Sequence, residues 1–182
     1  MDKKKEKKID EFFARMSSKE ETQNIDWAKK HDEWLKCLKE FYDRVNSYLK
    51  KYVSEGRIRI ASGRKRISED YIGEYEVSTV TIHIGNSQIR LEPIGTNLIG
   101  AKGRVDMVGP SGKVKFVLVD KEASAPRVSV QIVEQYKEAS LETPRTQKME
   151  WDWKISTPPP AIKYIELNPE SFFDAFMEIA NA

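Results

Sequence analysis

Between residues 57 and 135 apolar and polar residues alternate in short runs, the period of half-buried β-strands, and the turns fall where neighbouring apolar stripes would meet. The clearest turn is Gly109-Pro110-Ser111-Gly112, where proline presets one torsion and the last glycine closes the reversal. With Val108 opposite Lys113, Met107 faces Val114 and Val105 faces Phe116 on one side, while Asp106 meets Lys115 on the other. Gly85-Asn86 predicts a second two-residue turn. It sets Ile84 against Ser87, Ile82 against Ile89 and Val80 against Leu91, leaving Thr81 and His83 on the polar face. A slip of one residue would mix the faces, so the pattern specifies the register.

Residues 57–61 and 64–68 read as two further strands joined by Ser62-Gly63, a pair that suits a tight turn. Strands are also predicted over residues 74–84, 88–94, 104–108, 113–120 and 127–135. In residues 74–84 the alternation changes phase near Ser78 and Thr79, which predicts a β-bulge. A polar stretch over residues 137–148 reads as a loop, and Met149, Trp151, Trp153 and Ile155 then alternate as one face of another strand. Pro158-Pro159-Pro160 ends that strand with a stiff extended segment.

Helical periodicity brackets the sheet. Ile9, Phe12, Phe13 and Met16 recur at helical spacing, and Ser18 to Glu21 forms a capping box that restarts a helix after a break near residues 17–25. From Trp27 a wide stripe runs through Trp34, Leu35, Leu38, Phe41, Tyr42, Val45, Tyr48, Leu49, Tyr52 and Val53, and Gly56 stops it. A helix over residues 26–53 would be about 42 Å long, whereas a strand of six to eight residues spans about 20–27 Å. Such a helix crosses the sheet diagonally or overhangs it. At the other end Asn168-Pro169-Glu170 is an N-cap, a first-turn proline and a first-turn acid. Phe172, Phe173, Phe176, Met177 and Ala180 then share one helix face.

These elements define an α+β fold: a long N-terminal helical arm over residues 1–55, a largely antiparallel, curved meander of about seven or eight strands, and a short C-terminal helix over 169–181 packed on the sheet. The β domain with that helix occupies residues 56–182.

Composition narrows the chemistry. The 182 residues carry 31 basic and 29 acidic side chains, a net charge of +2, so any electrostatic function is local. With one cysteine and two histidines, a zinc site rich in Cys and His is not expected, and no metal or other cofactor is expected. No apolar run approaches the roughly 20 residues of a membrane helix and the start lacks a signal-like stretch, so the expected location is cytoplasmic, with no membrane partner. There is no nucleophile elbow, no phosphate loop and no dinucleotide fingerprint. Cys37 falls beside the helical stripe, as a packed thiol does.

Four constellations carry the functional expectations. Arg57, Arg59, Arg64, Lys65 and Arg66 are basic without an acidic residue among them, and a turn at Ser62-Gly63 would stack Arg59 on Arg66. Like charges so placed are destabilising, which points to a phosphate or acidic surface opposite them; a solvated edge is the plainer reading. Gly100-Ala101-Lys102-Gly103 has the spacing of a basic nucleic-acid-binding loop, but the strand pattern after it predicts a turn. Trp151 and Trp153 alternate with Met149 and Ile155, which places them in a core strand. The basic start of the chain, with Phe12 and Phe13, packs on the long helix more simply than on a membrane.

The leading expectation is a non-catalytic protein-interaction module, an adaptor, inhibitor or assembly subunit. It associates with a protein partner or a second copy through the long helix, with Trp27, Trp34, Leu38, Phe41, Val45 and Tyr48 at the interface. The alternative is nucleic-acid or polyanion binding through residues 57–66, and a further one is a small-ligand or enzymatic pocket inside the curved sheet.

Overall fold

The computed structural model describes Ile9 and residues 27–70, 72–96, 100–126 and 150–180. Apart from Ile9, the expected helix over residues 9–16 lies outside the described residues, as do the break near 17–25, the strand over 127–135, the loop over 137–148 and Met149.

Helix α1 spans Trp27–Ser54. Trp34, Leu38, Phe41, Tyr42, Val45 and Leu49 recur every three or four residues and form its buried stripe. The opposite side, with Lys29, Asp32, Lys36, Lys39, Asp43 and Lys50, faces solvent. The helix ends where Gly56, at φ +68°, lets the chain fold back. Gly56 N then donates to Val53 O and Arg57 N to Tyr52 O, both at 3.0 Å. This is a Schellman cap, and it satisfies carbonyls that the last turn leaves open.

Among the described residues seven antiparallel strands follow: β1 (Arg59–Glu69), β2 (Gly73–Ile84), β3 (Ser87–Gly95), β4 (Gly103–Gly109), β5 (Gly112–Asp120), β6 (Trp151–Ser156) and β7 (Tyr164–Glu166). Their order in the sheet is their order in the chain. Both hairpins with well-specified registers form as the side-chain pattern dictates: Ile82 pairs with Ile89 and Val80 with Leu91, Val105 with Phe116 and Met107 with Val114.

The sheet wraps round α1. Tyr42 Oη donates to Ser78 O on β2 at 2.7 Å, while Trp153 Nε1 on β6 donates to Cys37 O at 3.0 Å. Across a flat sheet β2 and β6 would lie about 19 Å apart. A helix is only about 10–12 Å wide with its side chains, so both strands reach it only because the sheet curves.

Helix α2 (Pro169–Ala180) closes the core with Phe172, Ala175, Phe176 and Ile179. Its start is capped as the sequence predicts: Asn168 Oδ1 accepts from Ser171 N, and Ser171 Oγ accepts from Asn168 N, both at 3.0 Å. At the centre Phe41 touches Phe116 and Trp153 at ring-centroid distances of 5.1 and 4.8 Å, and Phe116 stacks on Phe172 at 6.3 Å. The inside of the curve is therefore filled by aromatic side chains.

Four sequence expectations change. The predicted hairpin over residues 57–68 does not exist, because Ser62 and Gly63 sit inside the unbroken strand β1, paired with Val80 and Thr79. Gly63 is there for space and not for a turn: a Cβ would lie 2.8 Å from Thr79 Oγ1. The phase change in β2 is not a bulge, since the β1–β2 register runs without a shift and both strands exchange inward and outward faces together. The triple proline follows the end of β6 as expected, but it does not stay extended, since the chain bends over residues 159–161. Thr157 N donates to Lys163 O and Lys163 N to Thr157 Oγ1, which folds the segment back into the short strand β7. Finally Met177 is exposed, and Ala175 and Ile179 take its place on the buried face of α2.

Candidate functional site

The hydrogen-bond ladder of the sheet singles out one edge. A two-residue turn closes with hydrogen bonds between its flanking residues, so Ile84 bonds Ser87, and Ile82 and Val80 also point their backbone groups at β3. The residues between them, His83, Thr81 and Thr79, point theirs at β1, where they meet Arg59, Ala61 and Gly63. By the same alternation Ile60, Ser62, Arg64, Arg66 and Ser68 turn their N–H and C=O groups away from β2. Among the described residues no strand pairs with that side of β1.

The strand is fixed at its far end by a buried carboxylate. Glu69 accepts from Thr96 N at 2.7 Å, from Thr96 Oγ1 at 2.9 Å and from the Tyr75 hydroxyl. Burial, and then the Glu69 carboxylate, raise the Tyr75 phenol above its ordinary range. His31 of α1 packs edge-on against the same ring at 4.8 Å.

The basic residues expected to act together separate into three groups. Arg57 precedes the strand and pairs with Glu55 at 3.0 Å, and Lys65 turns inward to donate to Pro93 O at 3.2 Å. Arg59, Arg64 and Arg66 stand exposed on β1. Arg59 does not stack on Arg66, because β1 is one strand; they lie opposite His83 and Glu76. Arg64 approaches Glu76 at 3.7 Å and Arg66 approaches Glu74 at 3.8 Å. The expected like-charge stack is replaced by loose opposite-charge pairs.

The helical residues expected at an interface are covered by the chain's own sheet. Trp34, Leu38, Phe41 and Val45 are each 3% exposed or less. Tyr48 is half-buried against Phe172 at 5.6 Å, and Trp27 is half-buried with the Lys30 ammonium over its ring at 4.9 Å. Of the two outcomes expected from helix length, a diagonal crossing or an overhang, the second does not hold for the stripe from Trp34 to Leu49, which the chain itself buries, while Val53 at the helix end is exposed.

The remaining candidates take structural places. Trp153 is buried, while Trp151 is exposed beneath the Lys102 ammonium at 5.4 Å. Lys102 N bonds Leu118 O at 2.7 Å, so the Gly100–Gly103 segment is a link into β4. Burial pushes the Cys37 thiol up, away from nucleophilic character. A groove of about 420 Å³ lies between α2 and β5–β7, floored by Val114, Ile155, Ile165 and Ala175. Among the described residues no group of three or more His, Cys, Asp or Glu side chains gathers as a metal site would, and no helix is long and apolar enough to cross a membrane.

The fold thus defines a class: an antiparallel meander curled round one helix, with a long edge strand that has no second partner strand among the described residues. Comparison with protein-family models, curated proteins and solved structures found no match to this chain.

A solvated edge is the plainer sequence reading of these residues, but a turn at Ser62-Gly63 hides that the edge is one unbroken strand. The signal that finds it is the register of residues 64–69 against 73–78, which puts Ile67 beside Tyr75 and Arg66 beside Glu76.

Proposed function

We propose that this protein is a non-catalytic protein-interaction module, an adaptor, inhibitor or assembly subunit, and that a partner joins it along β1 by adding a strand. One observation carries the reading: five consecutive alternate residues of the eleven-residue strand β1, an edge of the sheet among the described residues, present their backbone donors and acceptors outward. Strand addition draws its affinity from such main-chain groups. The aromatic stripe of α1, already covered by the sheet, contributes by holding that sheet in shape. Polyanion binding through the arginines loses its main support with the like-charge stack.

Ser62→Pro tests the proposal. Ser62 N–H points away from β2, so proline there leaves the β1–β2 ladder whole and removes one outward donor from the edge. Affinity capture from the native cell is run with wild type and variant in parallel, identifying protein and nucleic acid together. A protein held by the wild type and lost from the variant is the expected result. Partners that are indifferent to the proline would defeat the proposal, and nucleic acid released by salt from both forms would favour the polyanion reading.

A further inference from the structure

We infer that the strand β1 accepts is acidic: an extended segment of another protein that carries carboxylates two residues apart. The inference rests on the reading of β1 as the docking edge and adds the chemistry that selects its occupant.

Arg64 and Arg66 are two residues apart and share the outer face of the far half of β1. Their side chains are 82% and 69% exposed, and their contacts to Glu76 and Glu74 are long. Exposed pairs of that geometry contribute little, so the guanidinium groups are free to turn. Each guanidinium carries five N–H donors in a planar fork matched to a carboxylate. An added strand would lie about 4.8 Å beyond β1. Its residues opposite Arg64 and Arg66 would fall on the same outer face, two apart, and carboxylates there continue the alternation of sign that Glu76 and Glu74 begin on β2.

A second copy of this chain fits the same edge poorly. Pairing β1 with its own copy places both sets of Arg59, Arg64 and Arg66 on neighbouring strands, where like charges repel. The arginines thus disfavour self-pairing and favour an acidic strand. The edge is also held ready: Glu69 ties one end of β1 to Thr96, and Lys65 ties its middle to Pro93. A fixed edge has less freedom to lose when a strand is added.

The test uses the full chain and labelled peptides of about nine residues, a length that runs along most of β1. Threonine alternates with Glu in one peptide, with Gln in a second and with Lys in a third, and binding is read by fluorescence anisotropy. The Glu peptide is expected to bind about tenfold or more tighter than the Gln peptide, the Lys peptide not measurably, and added salt narrows the gap. Arg64→Gln with Arg66→Gln brings the Glu peptide down to the level of the Gln peptide. Ser62→Pro weakens both, and so does N-methylation of alternate residues in the Glu peptide, a control that needs no altered protein. Equal binding of the Glu and Gln peptides, lost with Ser62→Pro, overturns the acidic preference and leaves the edge reading standing. Glu-peptide binding that ignores both Ser62→Pro and N-methylation overturns strand addition itself. No binding of any peptide overturns the inference.

Discussion

Gly103 lies under the indole of Trp34, so close that a Cβ at Gly103 would come within 2.2 Å of Trp34 Cζ3. The first residue of β4 is therefore the seat of the largest side chain in the buried stripe of α1. Gly103→Ala must displace a ring that is only 1% exposed. Overpacking of this kind costs about 1–3 kcal/mol. Urea unfolding followed by tryptophan emission should show a lower midpoint with an unchanged slope, and an unaltered midpoint would show that the ring has room to move.

Two phenols make stability sensitive to alkali. Burial raises Tyr42, whose hydroxyl donates to Ser78 O, and burial with the Glu69 carboxylate raises Tyr75. Both exceed the ordinary value of 10.0 that the unfolded chain restores. An acid whose folded value is raised keeps its proton longer in the native state, so its contribution is whole below pH 10 and declines as the pH climbs beyond it. Circular dichroism over about pH 8–12 should show a plateau and then a fall. Tyr42→Phe should make the fall shallower; an identical profile would exclude Tyr42 as a cause.

Lys154 is a buried cation whose ammonium donates to Lys121 O at 2.5 Å and Ala123 O at 2.9 Å. It pins the start of the connection after β5 to β6. Lys154→Met retains the stem but leaves those carbonyls without their donor, at a penalty of about 1–3 kcal/mol. Limited proteolysis should then cut near residues 121–126 sooner than in the wild type. Equal cutting rates would mean that this connection holds without the lysine.

The cap of α2 is an isolated test of local structure. Asn168→Ala removes the acceptor of Ser171 N and should lower stability by about 1 kcal/mol. Asn168→Asp retains an acceptor at that position and should recover most of the loss. Thermal unfolding of both variants decides the point, and equal melting temperatures for Ala and Asp would rule out the side-chain cap.

The legible parts of the fold were those governed by short-range chemistry. Gly85-Asn86 and Pro110-Ser111 fix hairpins because turn geometry and apolar pairing agree within a few residues. Asn168 marks a helix start for the same reason. Ser62-Gly63 misled because a glycine that makes room for Thr79 on a neighbouring strand has the same local signature as a turn glycine. The three residues of β7 are too few to show a period, and Tyr164 N is satisfied by Ser124 O from a distant segment. The fate of the α1 stripe was ambiguous for a different reason. Periodicity reports that Phe41 needs cover, but not whether Phe116 of the same chain or another molecule supplies it. At the candidate edge the arginines were visible in the sequence, whereas the direction of their backbone groups depends on the ladder through β2.

The strand order also sets a timetable. Each hairpin of the meander joins neighbours and can close as it emerges from the ribosome. Helix α1 is made before the sheet, yet Phe41 waits for Phe116 and then for Trp153, which contacts its ring at 4.8 Å. At roughly 5–20 residues per second that delay is on the order of ten seconds. Until the end of it the aromatic stripe of the helix is only partly covered. The arrival of β6 is the event that completes its cover.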